Sequence, residues 1–351
     1  MYVFFTFESL EKAVESMATQ PIEEHVERKF PAVLEIIREN IMKHGNPLAL
    51  NGTEVSSWAK DMNLPKTGDL LFYTGGEYQL LPFIDSLVKL ITVFDQGSPL
   101  FTMGIGVRNL LEKAGINAEK VYGSVLSQDK ERYQAVNKKA ARILQSLGYN
   151  LCYSGDEELY SGALLYELGY WEDLKVYAQR VQHVLQKSGA KTLVCLSPHA
   201  AEVLKLVYPK LGISLNIEIK TFVELVWEQR HKLEKASSGP TVVIHDSCRL
   251  ARDLHITEEL RDILTAVGVE FCEAKRNKEW TTCCGGPSKF TAPKLSHTMS
   301  ERRVKELQDT GAELMLTSCP YCLSALEGAL DKNDKKQVVD LIEFLYRGIA
   351  R

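Results

Sequence analysis

The stretch GAELMLTSCPYC, residues 311–322, has a counterpart 122 residues earlier, GAKTLVCLSPHA, residues 189–200, and the two align without a gap. The alignment sets Ser197 against Cys319, Pro198 against Pro320, His199 against Tyr321 and Ala200 against Cys322. Further out, ILQSLGYNLC (143–152) matches ILTAVGVEFC (263–272), and Tyr160-Ser161-Gly162 match Cys283-Cys284-Gly285. LFYTGG (71–76) matches VIHDSC (243–248), which sets Gly76 against Cys248. Blocks repeated in one order mean a duplicated domain. Each copy alternates strand-like runs such as TVVIHD and LMLTS with helix-like stretches. Strands separated by helical crossovers predict parallel sheets of the α/β class. The expected organisation is a helical N-terminal segment over 1–66, a first unit over 67–235 and a second, pseudo-symmetric unit over 236–351. The first unit carries an insertion over roughly 93–130, and KLEKASSGP (232–240) reads as the linker. In the N-terminal segment Val26, Phe30, Val33, Ile36, Ile37 and Ile41 fall at helical spacing, and the helix stops at Gly45, before Asn46-Pro47.

The two copies differ in their chemistry. The second reads Cys248, 34 residues, Cys283-Cys284, 34 residues, Cys319-x-x-Cys322; the first has Gly76, Tyr160, Ser161, Ser197 and Ala200 at the matching places. The first unit therefore offers no thiolate there, and Ser161 and Ser197 read as turn and helix-cap residues. In the second unit the cysteines sit between strand-like and helix-like runs. That puts them at the carboxyl ends of strands, where open α/β sheets bind ligands, and at helix starts, where backbone N–H groups favour anionic sulfur. Gly285 and Gly286 allow close backbone approach to the sulfurs, and Pro287 and Pro320 stiffen the turns. Cys319-Pro320-Tyr321-Cys322 alone has the spacing of a dithiol redox motif. It is one corner of a five-thiol set, however, and 29 residues follow it, too few for the rest of a glutaredoxin-like domain. Five thiolates exceed the four ligands of structural zinc or of a cubane cluster. They suggest a larger or irregular iron–sulfur centre, with zinc held by four of them as the alternative.

Cys152, Cys195 and Cys272 read as buried small hydrophobes. His245 and Asp246, just before Cys248, are candidate catalytic residues able to donate a proton to a thiolate, or else a hydrogen-bonded loop pair. His199 reads as structural or as a relic. Arg249, Arg252, Lys275, Arg276, Lys278 and Lys289 flank the cysteines, where they could offset charge or dock an acidic partner. TMGIGVRNLL lacks the third glycine of a dinucleotide fingerprint. The net charge of −4 leaves no basic footprint for nucleic acid. No apolar run reaches the roughly 20 residues of a membrane span, and MYVFFTFESLEKAVESMATQ lacks the parts of a signal peptide. The expectation is a cytoplasmic protein that meets a membrane only through a partner. Six of the eight cysteines lie after residue 247, which in a reducing compartment points to metal or redox chemistry.

The pattern Cys…Cys-Cys-Gly-Gly-Pro…Cys-Pro-x-Cys resembles the duplicated cysteine-rich CCG domain. That domain occurs in the B and D subunits of heterodisulfide reductase, in the C subunit of anaerobic glycerol-3-phosphate dehydrogenase, and in related lactate and succinate dehydrogenase subunits. ENIMKHGNPLALNGTEVSSWAKDMNLPKTGDLLFYTGG also resembles the segment leading into the first such domain, so the likeness covers roughly residues 35–335. The resemblance implies that Cys248, Cys283, Cys284, Cys319 and Cys322 ligate one non-cubane [4Fe-4S] cluster per chain. It implies an iron–sulfur subunit of a redox complex for disulfide or thiol reduction or oxidation. The expected partners are a ferredoxin-like iron–sulfur subunit, a flavoprotein subunit and a small disulfide or thiol substrate. Two departures bear on this: the first motif has no cysteine, and the Cys-x-x-Cys-x-x-Cys run of a ferredoxin-like domain is absent from the sequence. The alternatives are an electron-relay and docking subunit for a quinone or flavin dehydrogenase, and a structural zinc scaffold.

Overall fold

Among the described residues, eight short parallel strands in two sheets lead into the five motif cysteines and their counterparts. The computed structural model describes residues 32–82, 84–85, 130–235, 239–289, 291–331 and 336–349. The first sheet contains β1 (Leu70–Tyr73), β2 (Leu151–Cys152), β3 (Thr192–Cys195) and β4 (Glu218–Thr221) in the order β2-β1-β3-β4. The second contains β5 (Val242–Ile244), β6 (Phe271–Glu273), β7 (Leu314–Thr317) and β8 (Gln337–Asp340) in the equivalent order β6-β5-β7-β8. The sequence repeat is also a repeat of register. Leu70 pairs with Leu151 and Thr192, and its counterpart Val242 pairs with Phe271 and Leu314. Strands β1, β5 and β7 are buried along their whole length. Continuous apolar runs of this kind mark parallel strands covered on both faces.

Residues 33–351 form one compact unit. Helix α1 (Ala32–His44) buries Leu34, Ile37 and Ile41 in the same cluster as Leu71 and Cys195 of the first sheet. It ends at Gly45, with φ +79° and its N–H on the Ile41 carbonyl at 3.0 Å, a left-handed cap that glycine adopts without strain. The described part of the N-terminal segment thus shares the first sheet's core. A second core joins the halves: Phe72 and Val194 of the first sheet lie in one cluster with Val243, Ile263 and Leu316. Helix α2 (Lys130–Ser146) packs on the C-terminal helix Leu341–Ile349, and helix Phe222–Glu228 packs on Glu258–Ala266. Polar ties cross between the halves as well. Tyr78 donates its hydroxyl to Asp340 at 2.7 Å, Arg132 pairs with Glu343 at 2.6 Å and Glu327 at 2.7 Å, and Lys289 pairs with Asp85 at 2.7 Å. Val26 and Phe30, the insertion up to residue 129, TMGIGVRNLL and the middle of the linker (236–238) lie outside the described residues. Among the described residues no helix is long and apolar enough to cross a membrane.

One repeated glycine shows why the pattern persists without its cysteines. Gly162 and Gly285 both have φ +82°. A Cβ at Gly162 would come within 2.8 Å of the Leu174 side-chain terminus, whereas at Gly285 it would meet the Ser296 backbone carbonyl at 2.6 Å. A side chain can swing away; a carbonyl inside a helix cannot. Gly162→Ala should therefore cost roughly 1–2 kcal/mol from the left-handed backbone alone, and Gly285→Ala more. Urea midpoints of the two variants check this, and equal losses would contradict it.

Candidate metal centre

In the second sheet the chain runs outward from β5 to β6 on one side and from β7 to β8 on the other, so the topological switch lies between β5 and β7. Open α/β sheets leave a crevice at that point. Cys248 follows β5, and Cys319 follows β7 at the start of the helix Pro320–Glu327. Cys283 and Cys284 enter on the loop after β6, which bends at Gly285. Cys284, Cys319 and Cys322 are buried; Cys248 and Cys283 are partly exposed, so the set opens to solvent on their side. The sulfurs of Cys284 and Cys322 are 3.2 Å apart, and all eight cysteines are free. Contacts link Cys248 to Cys283, Cys283 to Cys284, Cys284 to Cys322 and Cys322 to Cys319. The structure thus brings all five predicted thiols into one chain of contacts.

Their acidities split into two groups, as expected of sulfurs sharing protons: Cys283 and Cys319 are held low, and Cys248, Cys284 and Cys322 are pushed up. Hydrogen bonding from Cys248, then from Cys284, brings Cys283 down to about 2 against the penalty of burial. The same bonds, seen from the donor side, push Cys248 and Cys284 up. Hydrogen bonding to Cys284 and Cys319 pushes Cys322 up, whereas Cys319 is held low despite its burial by bonds from Cys322 and His199. Full deprotonation would put several anions in a desolvated pocket, where cations would stabilise them. Two further observations test the fit to metal. Among the described residues eight buried side-chain polar atoms lack a partner, and four of them, on His245, Ser247, Thr317 and Ser318, lie within three residues of Cys248 or Cys319. One group of donors also lies mutually within 4.8 Å: His245, Cys284 and Cys322. The other three thiols extend beyond it, a spread that suits several metal ions bridged together better than one tetrahedral ion.

The two residues before Cys248 have separate surroundings. Asp246 is buried and held bidentately by Arg261 at 2.7 and 2.9 Å, with the Lys278 N–H on it at 2.7 Å. His245 accepts at Nδ1 from Arg303 Nε at 3.0 Å, and burial, then the Arg303 charge, holds its pKa well below the usual histidine value. Of the flanking cations, Arg249 is paired with Glu202 and Glu167, Lys278 with Glu258 and Lys289 with Asp85, while Lys275, Arg276 and Arg252 lie exposed. Cys152, Cys195 and Cys272 lie on strands, away from the set.

Sequence reasoning missed the part played by the first half. Ser197 caps its helix through the His199 N–H at 3.2 Å, and Ser161 accepts from the Ala163 N–H at 3.3 Å. Both serines, which stand where the second half has Cys284 and Cys319, also donate to the buried carboxylate of Glu77. His199 is not an idle remnant. Its Nδ1 meets Glu167 at 3.0 Å, its ring stacks on Tyr321 at 4.4 Å, and it hydrogen-bonds Cys319. Burial opposes its charge, but Glu167 and then Cys319 lift its pKa well above the usual value. Tyr321 reciprocates by bonding Tyr160 of the first half. The available signal was the alignment itself, which sets His199 against Tyr321 between two ligand positions.

Residues 242–327 match the cysteine-rich domain family CCG, so the chain carries a CCG domain over β5, β6, β7 and all five thiols. Over 222 residues it is 31% identical to the D subunit of the dihydromethanophenazine:CoB--CoM heterodisulfide reductase of Methanosarcina barkeri, covering 60% of this chain and 54% of that protein. It is 28% identical over 265 residues to the "EtfAB:quinone oxidoreductase" of Syntrophomonas wolfei, covering 70% and 37% respectively. It is 27% identical over 248 residues to a Bacillus subtilis protein named "Probable iron-sulfur-binding oxidoreductase FadF", covering 68% and 35%. The chain thus spans about half, or less, of the length of these relatives. A glutamate racemase structure from Bacillus anthracis aligns at 13% identity over 61% of this chain and 76% of its own, with a TM-score of 0.30, too distant to inform the site.

Burial raises three carboxyl groups, Glu77, Glu158 and Asp340, to about 7. In the unfolded chain they titrate near 4. The folded state therefore holds protons that the unfolded state releases. The resulting stability is full below about pH 4 and is lost as pH rises through about 7, at about 1.4 kcal/mol per pKa unit for each group. Glu77→Gln keeps acceptor and donor groups but removes the charge, so its stability should fall less between pH 5 and 8 than that of the wild type. Urea midpoints across that range check this; parallel curves would count against it.

Proposed function

We propose that the chain is the iron–sulfur subunit of a heterodisulfide-reductase-like redox complex, with Cys248, Cys283, Cys284, Cys319 and Cys322 holding one non-cubane [4Fe-4S] cluster. The observation that carries this reading is the continuous five-thiol contact at the switch point of the second sheet, without a disulfide. In this reading, residues 67–235 and 236–351 are two related units after an N-terminal segment over 1–66, and the cluster belongs to the second. Such a cluster supplies one-electron storage on sulfur-ligated iron and a place for a substrate sulfur to bind. The chain does the rest. Helix starts and loop N–H groups, including those of Gly285 and Gly286 at 3.4 Å from Cys283 and Cys284, offset negative charge on sulfur. Cys319, Cys322 and Cys284 form the dry side of the site, and Cys248 and Cys283 its accessible side.

Two surfaces support the wider reading. A cleft of about 460 Å³, lined by Tyr166, Glu167, Trp171, Arg249, Pro287 and Thr291, runs beside Cys248's neighbour and the loop after Cys284. It is large enough for a small disulfide or thiol substrate. Trp280, 77% exposed, stands three residues before Cys283, with Lys275 and Arg276 exposed on the same loop. That surface suits an acidic electron-carrying partner, such as a ferredoxin-like or flavoprotein subunit. It also fits the second reading, an electron relay to a quinone or flavin dehydrogenase, which the name of the Syntrophomonas wolfei relative favours.

Anaerobically purified protein should contain about four irons and four acid-labile sulfides per chain. Cys284→Ala and Cys319→Ala should each lose most of them, whereas Cys272→Ala should keep them. A colourless protein with one zinc and no sulfide would overturn the reading. A new EPR signal on adding a disulfide would favour catalysis at the cluster, and its absence in a fully loaded protein would favour the relay.

A further inference from the structure

His245 is fully buried at the end of β5, and its two ring nitrogens have different environments. Nδ1 is occupied: Arg303 Nε donates to it at 3.0 Å. An arginine Nε–H can only donate, so Nδ1 must carry the lone pair. Arg303 has little freedom to turn away. It is fully buried, with its guanidinium on Glu306 at 2.9 Å and on the Arg276 carbonyl at 2.9 Å. The ring hydrogen therefore resides on Nε2. That nitrogen is buried and has no protein partner. A ring nitrogen of His245 lies within 4.8 Å of the sulfurs of Cys284 and Cys322, and with Nδ1 taken, the one free to face them is Nε2.

We propose that His245 is a positioning residue rather than a ligand: its Nε2–H donates a hydrogen bond to sulfur in the centre held by Cys284 and Cys322 and raises that centre's reduction potential. This inference rests on the iron–sulfur reading above. Ligation through Nε2 would require that nitrogen to give up its hydrogen and Nδ1 to take one. The Nδ1–H would then point head-on at the Arg303 Nε–H, with no acceptor between them. A buried N–H without a partner is costly, and the sulfurs of Cys284 and Cys322 are acceptors within 4.8 Å of the ring nitrogen. A hydrogen bond to sulfur stabilises the reduced, more negative state over the oxidised one, and so shifts the potential upward. Arg303 acts at one remove, by fixing which nitrogen carries the hydrogen.

The test uses the full chain, purified anaerobically after growth on 15N-histidine, in its paramagnetic oxidation state. Electron–nuclear double resonance should show a weak 15N coupling, with one proton coupling that is lost in D2O. The 15N coupling should persist in His199→Gln and vanish in His245→Gln, and both couplings should vanish in His245→Leu. A strong coupling, as from a directly bonded imidazole, would overturn the proposal, and so would the absence of a coupling assignable to His245. Iron and sulfide analysis of the same sample separates the two failures, since a sample without cluster refutes the underlying reading instead. In His245→Leu the ratio of reduced to oxidised centre, poised at the wild-type midpoint, should drop about tenfold, equivalent to about 59 mV for one electron. His245→Gln, which keeps an N–H, should recover part of the drop. An unchanged midpoint in His245→Leu would overturn the proposal. Should that variant fail to fold, the labelled spectra of the wild type, His199→Gln and His245→Gln decide.

Discussion

Sulfur anions gathered in a low-dielectric pocket repel one another, and the surroundings of the five thiols are arranged around that problem. The switch point of a parallel sheet puts two strand ends and a loop within reach of one volume. Helix starts and glycine N–H groups face it. Fixed cations stand one layer back, where Arg303 reaches the site through His245 and Arg249 reaches it through Glu167 and His199. Arg303 fixes the His245 ring, and Arg249 holds the Glu167 that pairs with His199, the ring that hydrogen-bonds Cys319. An arginine placed directly on the thiols would neutralise charge but would also fill the space that metal needs.

Much of this was legible in the sequence, because duplication makes a fold readable twice. The gapless blocks carried the strand registers, and the cysteine spacing brought together five residues scattered over 75 positions. Helix α1 ended where Gly45 said it would. The layer behind the ligands was harder to see. Arg303, Arg261 and Glu167 sit on helices or in turns whose local pattern looks like solvated surface. Arg303 and Arg261 are buried, and the Glu167 side chain is 11% exposed, only because tertiary packing folds those elements over the site. A one-dimensional pattern reports which face of a helix is apolar, but not which charge on the other face meets a neighbour. His199 escaped notice for a related reason: it serves a site in the other half of the molecule.

The two halves therefore share a fold but divide the labour. Each contributes the ring at the third position of its strand-to-helix motif to the other half, His199 toward Cys319 and Tyr321 toward Tyr160. The exchange runs through a pair of stacked rings, so the halves are joined at the site itself as well as through their common core. A half without thiols at the matching positions still shapes the electrostatics of the half that has them there.

Glu77 gives this division a direction. Its carboxylate ties together Ser161 and Ser197, the counterparts of Cys284 and Cys319, in a closed and fully buried knot. Substituting cysteines one at a time into that knot would set a thiol against a carboxylate, lose a hydrogen bond and still supply too few sulfurs to hold iron. Each step through Ser161 or Ser197 toward a second metal site is thus uphill, and at those two positions the asymmetry between the halves behaves as a ratchet.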